Sequence, residues 1–141
     1  MNFTEQLVAM MVAVLVADGK QEAEELDLIR SVANDLELDK NEVEACIAAE
    51  LAQPHTIKQA ARGIKKDDKE AILSACVAVA LSDKYLCQSE IEMILEIAEV
   101  LKISATKAIL QIAAYVQNDR SILIEGNDAL HMDDAIEIDE E

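Results

Sequence analysis

The sequence predicts an all-α fold of about seven helices, and three features carry that expectation. Turn formers are scarce, with three Gly and one Pro in 141 residues, too few for a β-rich chain. Ala, Leu, Glu and Lys, which favour helices, are common, and apolar residues recur at helical spacing. Sliding the sequence by 65 residues lays one half on the other: Val12, Ala13 and Val14 fall on Val77, Ala78 and Val79, Asp18 on Asp83, Glu25 on Glu90, and Ile29, Ala33 and Leu36 on Ile94, Ala98 and Leu101. Identity at helical positions, with Leu26, Val32 and Leu38 meeting Ile91, Ile97 and Ile103, reads as a duplication of a three-helix unit about a pseudo-twofold axis.

Each unit opens on an apolar helix, at about 3–17 and 69–82. Leu7 to Ala17 is an unbroken apolar run with no preceding Lys or Arg, too short to span a bilayer, so it reads as a buried helix rather than a signal peptide. Both apolar helices are hydrophobic nearly all round, which places them at the centre. Ala9, Ala13 and Ala17, and their counterparts Ser74, Ala78 and Ser82, recur every four residues, so close approach of the two helices along these faces is expected. An amphipathic helix follows in each unit, at about 22–36 and 89–101, with Leu26, Ile29, Val32, Ala33 and Leu36 and their counterparts turned inward.

The third helices have start signals: Asp39 with Glu42, and Ser104. Asp67 with Glu70 promises the same before the second apolar helix. Pro54 closes the first unit and Thr56 starts a short bridge to about Arg62. The expected organisation is a helical domain over 1–117 (repeat one about 3–52, bridge about 56–63, repeat two about 68–116) and an acidic tail over 118–141. That tail carries nine acidic residues and one basic, an extended or poorly packed segment.

Composition narrows the function classes. Twelve basic and twenty-nine acidic residues give a net charge of -17, which repels phosphate backbones and anionic membrane surfaces, and one Phe, two Tyr and no Trp leave little for base stacking. Nucleic acid and direct membrane insertion are therefore not expected. Cys46, Cys76 and Cys87 are an odd number without Cys-x-x-Cys spacing, as in reduced cytoplasmic proteins. His55 and His131 stand apart from any Cys or acid at ligand spacing, and neither a phosphate loop nor a nucleophile elbow is present, so no enzyme is expected.

The candidate site is a pair of acidic loops. Asp18 and Glu25, and again Asp83 and Glu90, place one carboxylate at the end of an apolar helix and another in the first turn of the next, with Glu22 and Glu24 adding to the first loop. If the loops share one edge, the oxygens of Asp18, Glu22, Glu25, Asp83 and Glu90 are a candidate ligand set for Ca²⁺ or Mg²⁺. The interval matches the second half of an EF-hand loop, but the upstream ligand positions would be Val14 and Val16, or Val79 and Leu81, which excludes a true EF-hand. Helix capping is the simpler reading, because a cap needs one residue where coordination needs several to converge. Gly19 suits the left-handed turn that ends a helix; its counterpart Lys84 would adopt it only at a cost of roughly 1–2 kcal/mol for any residue with a Cβ.

The run from Val16 through Asp18-Gly19-Lys20-Gln21-Glu22-Ala23-Glu24-Glu25, with the stripe Leu26, Ile29, Ala33, Leu36 behind it, resembles the tellurite-resistance TerB-like family, which includes the N-terminal domain of a DnaJ-type membrane co-chaperone. A weaker echo stands in Leu81-Ser82-Asp83 with Glu90, and the resemblance covers about residues 5–115. It implies a helical, pseudo-symmetric duplication and divalent-cation binding at Asp18, Glu25, Asp83 and Glu90, although Lys84 stands where the second loop would usually have Gly. It also implies a role in tellurite and chemical-stress responses near the inner face of the membrane, exercised through protein partners that include membrane-bound ones. The expectation is thus a non-enzymatic acidic binding module, with a metal-independent interaction scaffold as the alternative.

Overall fold

The computed structural model describes residues 1–18, 23–82 and 84–124. Among them are seven α-helices: α1 (Phe3–Asp18), α2 (Ala23–Asp35), α3 (Lys40–Ala52), α4 (Ile57–Ala61), α5 (Lys69–Ala80), α6 (Gln88–Val100) and α7 (Ala105–Asn118). The fold is all-α, with one 3-10 turn (Lys66–Asp68) and two two-residue strands, β1 (Tyr85–Leu86) and β2 (Leu123–Ile124).

The apolar run makes α1 the central helix: every residue from Leu7 to Leu15 is buried, and α1 packs against α3, α5, α4 and α2. α5 is the second central helix, buried at Ile72, Leu73, Cys76, Val77 and Val79 and packed against α1, α6 and α7. The expected contact of the two apolar helices is present, but not along the whole of the small-residue faces. Ala9 and Ala13 are buried, whereas Ala17 and Ser74 are exposed, and Ser74 and Ala78 instead line a shallow groove against Val32 and Asp35 of α2 and Leu36 just beyond it. The small side chains of α5 there are too short to cover Leu36, which is 42% exposed while its counterpart Leu101 is buried. The inward assignment holds for Ile29 and Ala33 and for Ile94, Ile97, Ala98 and Leu101, and fails for Leu36.

Helix boundaries follow local chemistry. The Glu42 N–H donates to Asp39 Oδ2 at 2.9 Å and the Lys107 N–H to Ser104 Oγ at 3.2 Å, so both third helices start on the caps that their sequences announce. Thr56 and Gln59 close a full capping box at α4. Asp67 does not cap α5: it lies in the 3-10 turn, and the residue before the helix, Asp68, makes no side-chain capping bond. α2 and α6 end identically. Glu37 and Lys102 take left-handed conformations (φ 59° and 61°), and the N–H groups of Leu38 and Ile103 reach back to the carbonyls of Ala33 and Ala98 at 3.0 and 2.8 Å. This is the Schellman closure, made twice at the 65-residue offset.

The packed body runs past the expected boundary at 117. Ile122 is buried, and β2 pairs in parallel with β1, Tyr85 opposite Leu123 and Leu86 opposite Ile124. The segment is extended because two apolar residues complete a ladder, and the body reaches at least residue 124. The rest of the expected tail, 125–141, lies outside the described residues.

Candidate acidic loop site

The loop after α5 turns at Lys84, which adopts the left-handed conformation (φ 63°) with its N–H bonded to the Leu81 carbonyl at 3.0 Å. This is the conformation for which Gly is the usual choice, taken here by a side chain with a Cβ. The ammonium pairs with Asp119, the residue that caps the end of α7. Asp119 also accepts the Ser121 N–H at 3.0 Å and the Ser121 hydroxyl at 2.5 Å. The Lys84 and Ser121 bonds together hold its carboxyl down at about 2, and the Asp119 carboxylate in turn raises the Lys84 ammonium. The loop is thereby tied to the end of α7 and to β2.

Of the five sequence-derived ligand candidates, the structure describes the side chains of two. The side chain of Asp18, and residues Glu22 and Asp83, lie outside the described residues. Glu25 is half-buried near the start of α2 and, with Glu24, Asp27 and Leu28, lines an open groove of about 520 Å³ whose opposite wall is Ser82, Lys84 and Tyr115. The groove sets the start of α2 opposite Ser82 and Lys84, while the first loop, residues 19–22, lies outside the described residues. Glu90 is not on that groove. It is 4% exposed, and its Oε1 accepts the Cys87 N–H at 3.2 Å, so its carboxylate serves the start of its own helix. Among the described residues no three Cys, His, Asp or Glu side chains converge on a point fit for a metal ion.

Other titratable groups are structural. Cys76 is fully buried, and burial pushes its thiol up to about 12, which keeps it protonated and inert. Cys46 is raised as well, by burial first and then by the negative charges of Glu5, Glu42 and Glu50. Glu50, buried on α3, accepts the His55 N–H at 3.1 Å and lies 2.7 Å from His55 Nδ1, which secures the turn at Pro54. The sequence alone missed this pair; its five-residue separation across a helix end was the available signal. Arg30 bridges Glu44 and Asp27 on the outside of α2 and α3.

The model of the tellurite resistance protein TerB family matches residues 48–112. The match runs from the end of α3 into α7 and contains the Lys84 loop and Glu90, the half whose motif is the weaker echo, and leaves the Asp18–Glu25 loop outside. Neither a curated protein nor a solved structure matches the chain. No helix among the described residues is long and apolar enough to cross a membrane.

Proposed function

We propose that this chain, TerB-like over residues 48–112, is a non-enzymatic binding module that docks a basic segment of a partner protein in the groove between α2 and the Lys84 loop. One observation carries the reading: Glu24 and Glu25, with Asp27 shared with Arg30, line one wall of an open groove on a molecule of net charge -17, with Leu28 and Tyr115 supplying apolar surface and the Lys84 ammonium across it already paired with Asp119. Such a surface speeds encounter with a cationic segment and fixes its register through the apolar contacts. A tellurite-linked role is part of the proposal and rests on the description of the matched family; a stress-related role in the cytoplasm, through partners that include membrane-bound ones, is proposed with it on the resemblance carried by the Asp18–Glu25 run.

A second reading has support of its own. Glu25 stands on the groove, seven residues after Asp18 and three after Glu22, so the first loop could gather hard oxygen ligands for Ca²⁺ or Mg²⁺. The second loop supports it less, because Lys84 puts a positive charge on the groove and Glu90 is engaged at its helix cap. Calorimetric titration of the chelator-treated protein separates the two. The docking reading expects no saturable heat with either cation up to millimolar concentration, and salt-dependent binding of a short Lys/Arg-rich peptide that Glu24→Gln with Glu25→Gln weakens at least about tenfold. Saturable cation binding abolished by Glu25→Gln would establish the second reading instead.

A further inference from the structure

The acidic chain gathers four of its twelve basic residues in one place. Lys66, Lys69, Lys102 and Lys107, with Asp67 and Glu70 among them, line an open groove of about 690 Å³ at the N-terminal ends of α5 and α7. Lys107 spans 3.3 Å to Glu70, both side chains being mostly exposed, while Lys66, Lys69 and Lys102 make no ion pair among the described residues. Four lysines against Asp67 and Glu70 leave the groove a net positive charge on an otherwise acidic molecule, which attracts an anionic segment.

An uncovered apolar face leads into it. One turn beyond Lys107, Ile109 and Leu110 are 51% and 62% exposed, and Ala113 and Ala114 continue the exposed face along α7. At the 65-residue offset the first unit has Glu44 and Ala45 where the second has Ile109 and Leu110, and Glu44 is held by Arg30. At these two positions the second unit exposes large apolar side chains where the first exposes Glu44 and Ala45, and the second unit is followed by an acidic extension.

The extension matches this surface in composition, order and reach. Residues 125–141 carry eight acidic and no Lys or Arg side chains; Ala129, Leu130 and Met132 come first, and six of the last nine residues, from Asp133, are acidic. The described chain stops at Ile124, beside β1 and at the C-terminal end of α7, whereas the lysines stand at its N-terminal end. Fourteen residues of α7 cover about 21 Å, and the eight residues 125–132 reach about 26–29 Å when extended. We propose that residues 125–141 are the occupant of this surface, Ala129, Leu130 and Met132 crossing the Ile109/Leu110 face and the acidic run from Asp133 seated among Lys66, Lys69, Lys102 and Lys107. The remainder of the chain has a net charge of -9 and repels this segment elsewhere, which gives the docking its specificity.

The test uses the full chain and a full-length variant with Asp133→Asn, Asp134→Asn, Glu137→Gln and Asp139→Asn. In amide NMR spectra the variant is expected to shift the signals of Lys66, Lys69, Lys102, Lys107, Ile109 and Leu110, equally at 20 µM and at 1 mM protein. A synthetic peptide of residues 125–141 should bind the variant at least about tenfold more tightly than the native chain, whose own segment competes at millimolar effective concentration. Lys66→Gln with Lys102→Gln in the variant should abolish peptide binding. Unmoved groove signals, or equal peptide affinity for the two chains, would overturn the proposal. Shifts that depend on protein concentration would overturn it in favour of a second copy's segment.

Discussion

At the residue scale Lys84 decides what the second loop can do. Its backbone takes the conformation that Gly would occupy at lower cost, and its ammonium is spent on Asp119, so the position held by Gly19 in the first loop's sequence carries a strap in the second. The strap is pH-dependent with a definite sign. The folded Asp119 carboxyl sits at about 2, below the ordinary 3.8, because the Lys84 and Ser121 bonds favour the charged form. A carboxyl depressed on folding stabilises the native state above its unfolded value, and that contribution disappears as pH falls through the folded value. The β1–β2 end is therefore expected to stay closed at pH 4 and to loosen towards pH 2. Amide exchange at Leu86 and Ile124 should show it, and Asp119→Asn should give the loosened behaviour already at pH 7. Protection at these amides that is unaltered in Asp119→Asn would mean that the ladder holds without the strap.

At the element scale the helix ends carry the clearest record of the 65-residue offset. Glu37 and Lys102 close α2 and α6 with the same left-handed turn, and Asp39 and Ser104 cap the following helices two residues later. Since the backbone and not the side chain makes these closures, Glu37→Gly and Lys102→Gly should each stabilise the fold by up to about 1 kcal/mol, the relief of the left-handed conformation being partly offset by a freer unfolded chain. Urea unfolding of each variant measures it, and a loss of stability would show that the side chain contributes more than the turn costs. The starts at Asp39, Thr56 and Ser104 were legible beforehand because capping is local and announces itself within four residues, whereas the closures at Glu37 and Lys102 were not read and Asp67 does not cap α5. Leu36 was not legible, because its burial depends on what stands opposite, and the small faces of α5 leave it open. Nor was the β1–β2 pair, whose partners are 38 residues apart in sequence and too few to show a period. For the candidate site, the repeat pointed to Glu25 and Glu90 as residues, whereas the groove that sets Glu25 opposite Lys84, the capping role of Glu90 and the hold of Asp119 on Lys84 required coordinates.

At the scale of the whole molecule, charge and apolar packing oppose each other. Two central helices bury nearly continuous apolar surface, and that burial must offset the self-repulsion of a net charge of -17. Monovalent salt screens the repulsion, with a Debye length of about 10 Å at 0.1 M against 30 Å at 0.01 M. The melting temperature is therefore expected to rise between 10 mM and 0.5 M NaCl. Divalent cations separate screening from a built site: at a fixed 150 mM NaCl, 1 mM Ca²⁺ hardly changes the ionic strength. A site with a Kd of 10 µM would then be filled about a hundredfold above its midpoint and would stabilise the fold by about 2.7 kcal/mol, a shift of several degrees. Docking through the α2 groove without a cation predicts a melting temperature unchanged by that addition. A rise of several degrees that saturates with Ca²⁺ and vanishes in Glu25→Gln would instead mean that the first loop closes on an ion, and that the acidic edge is read by a partner only once its charge has been partly neutralised.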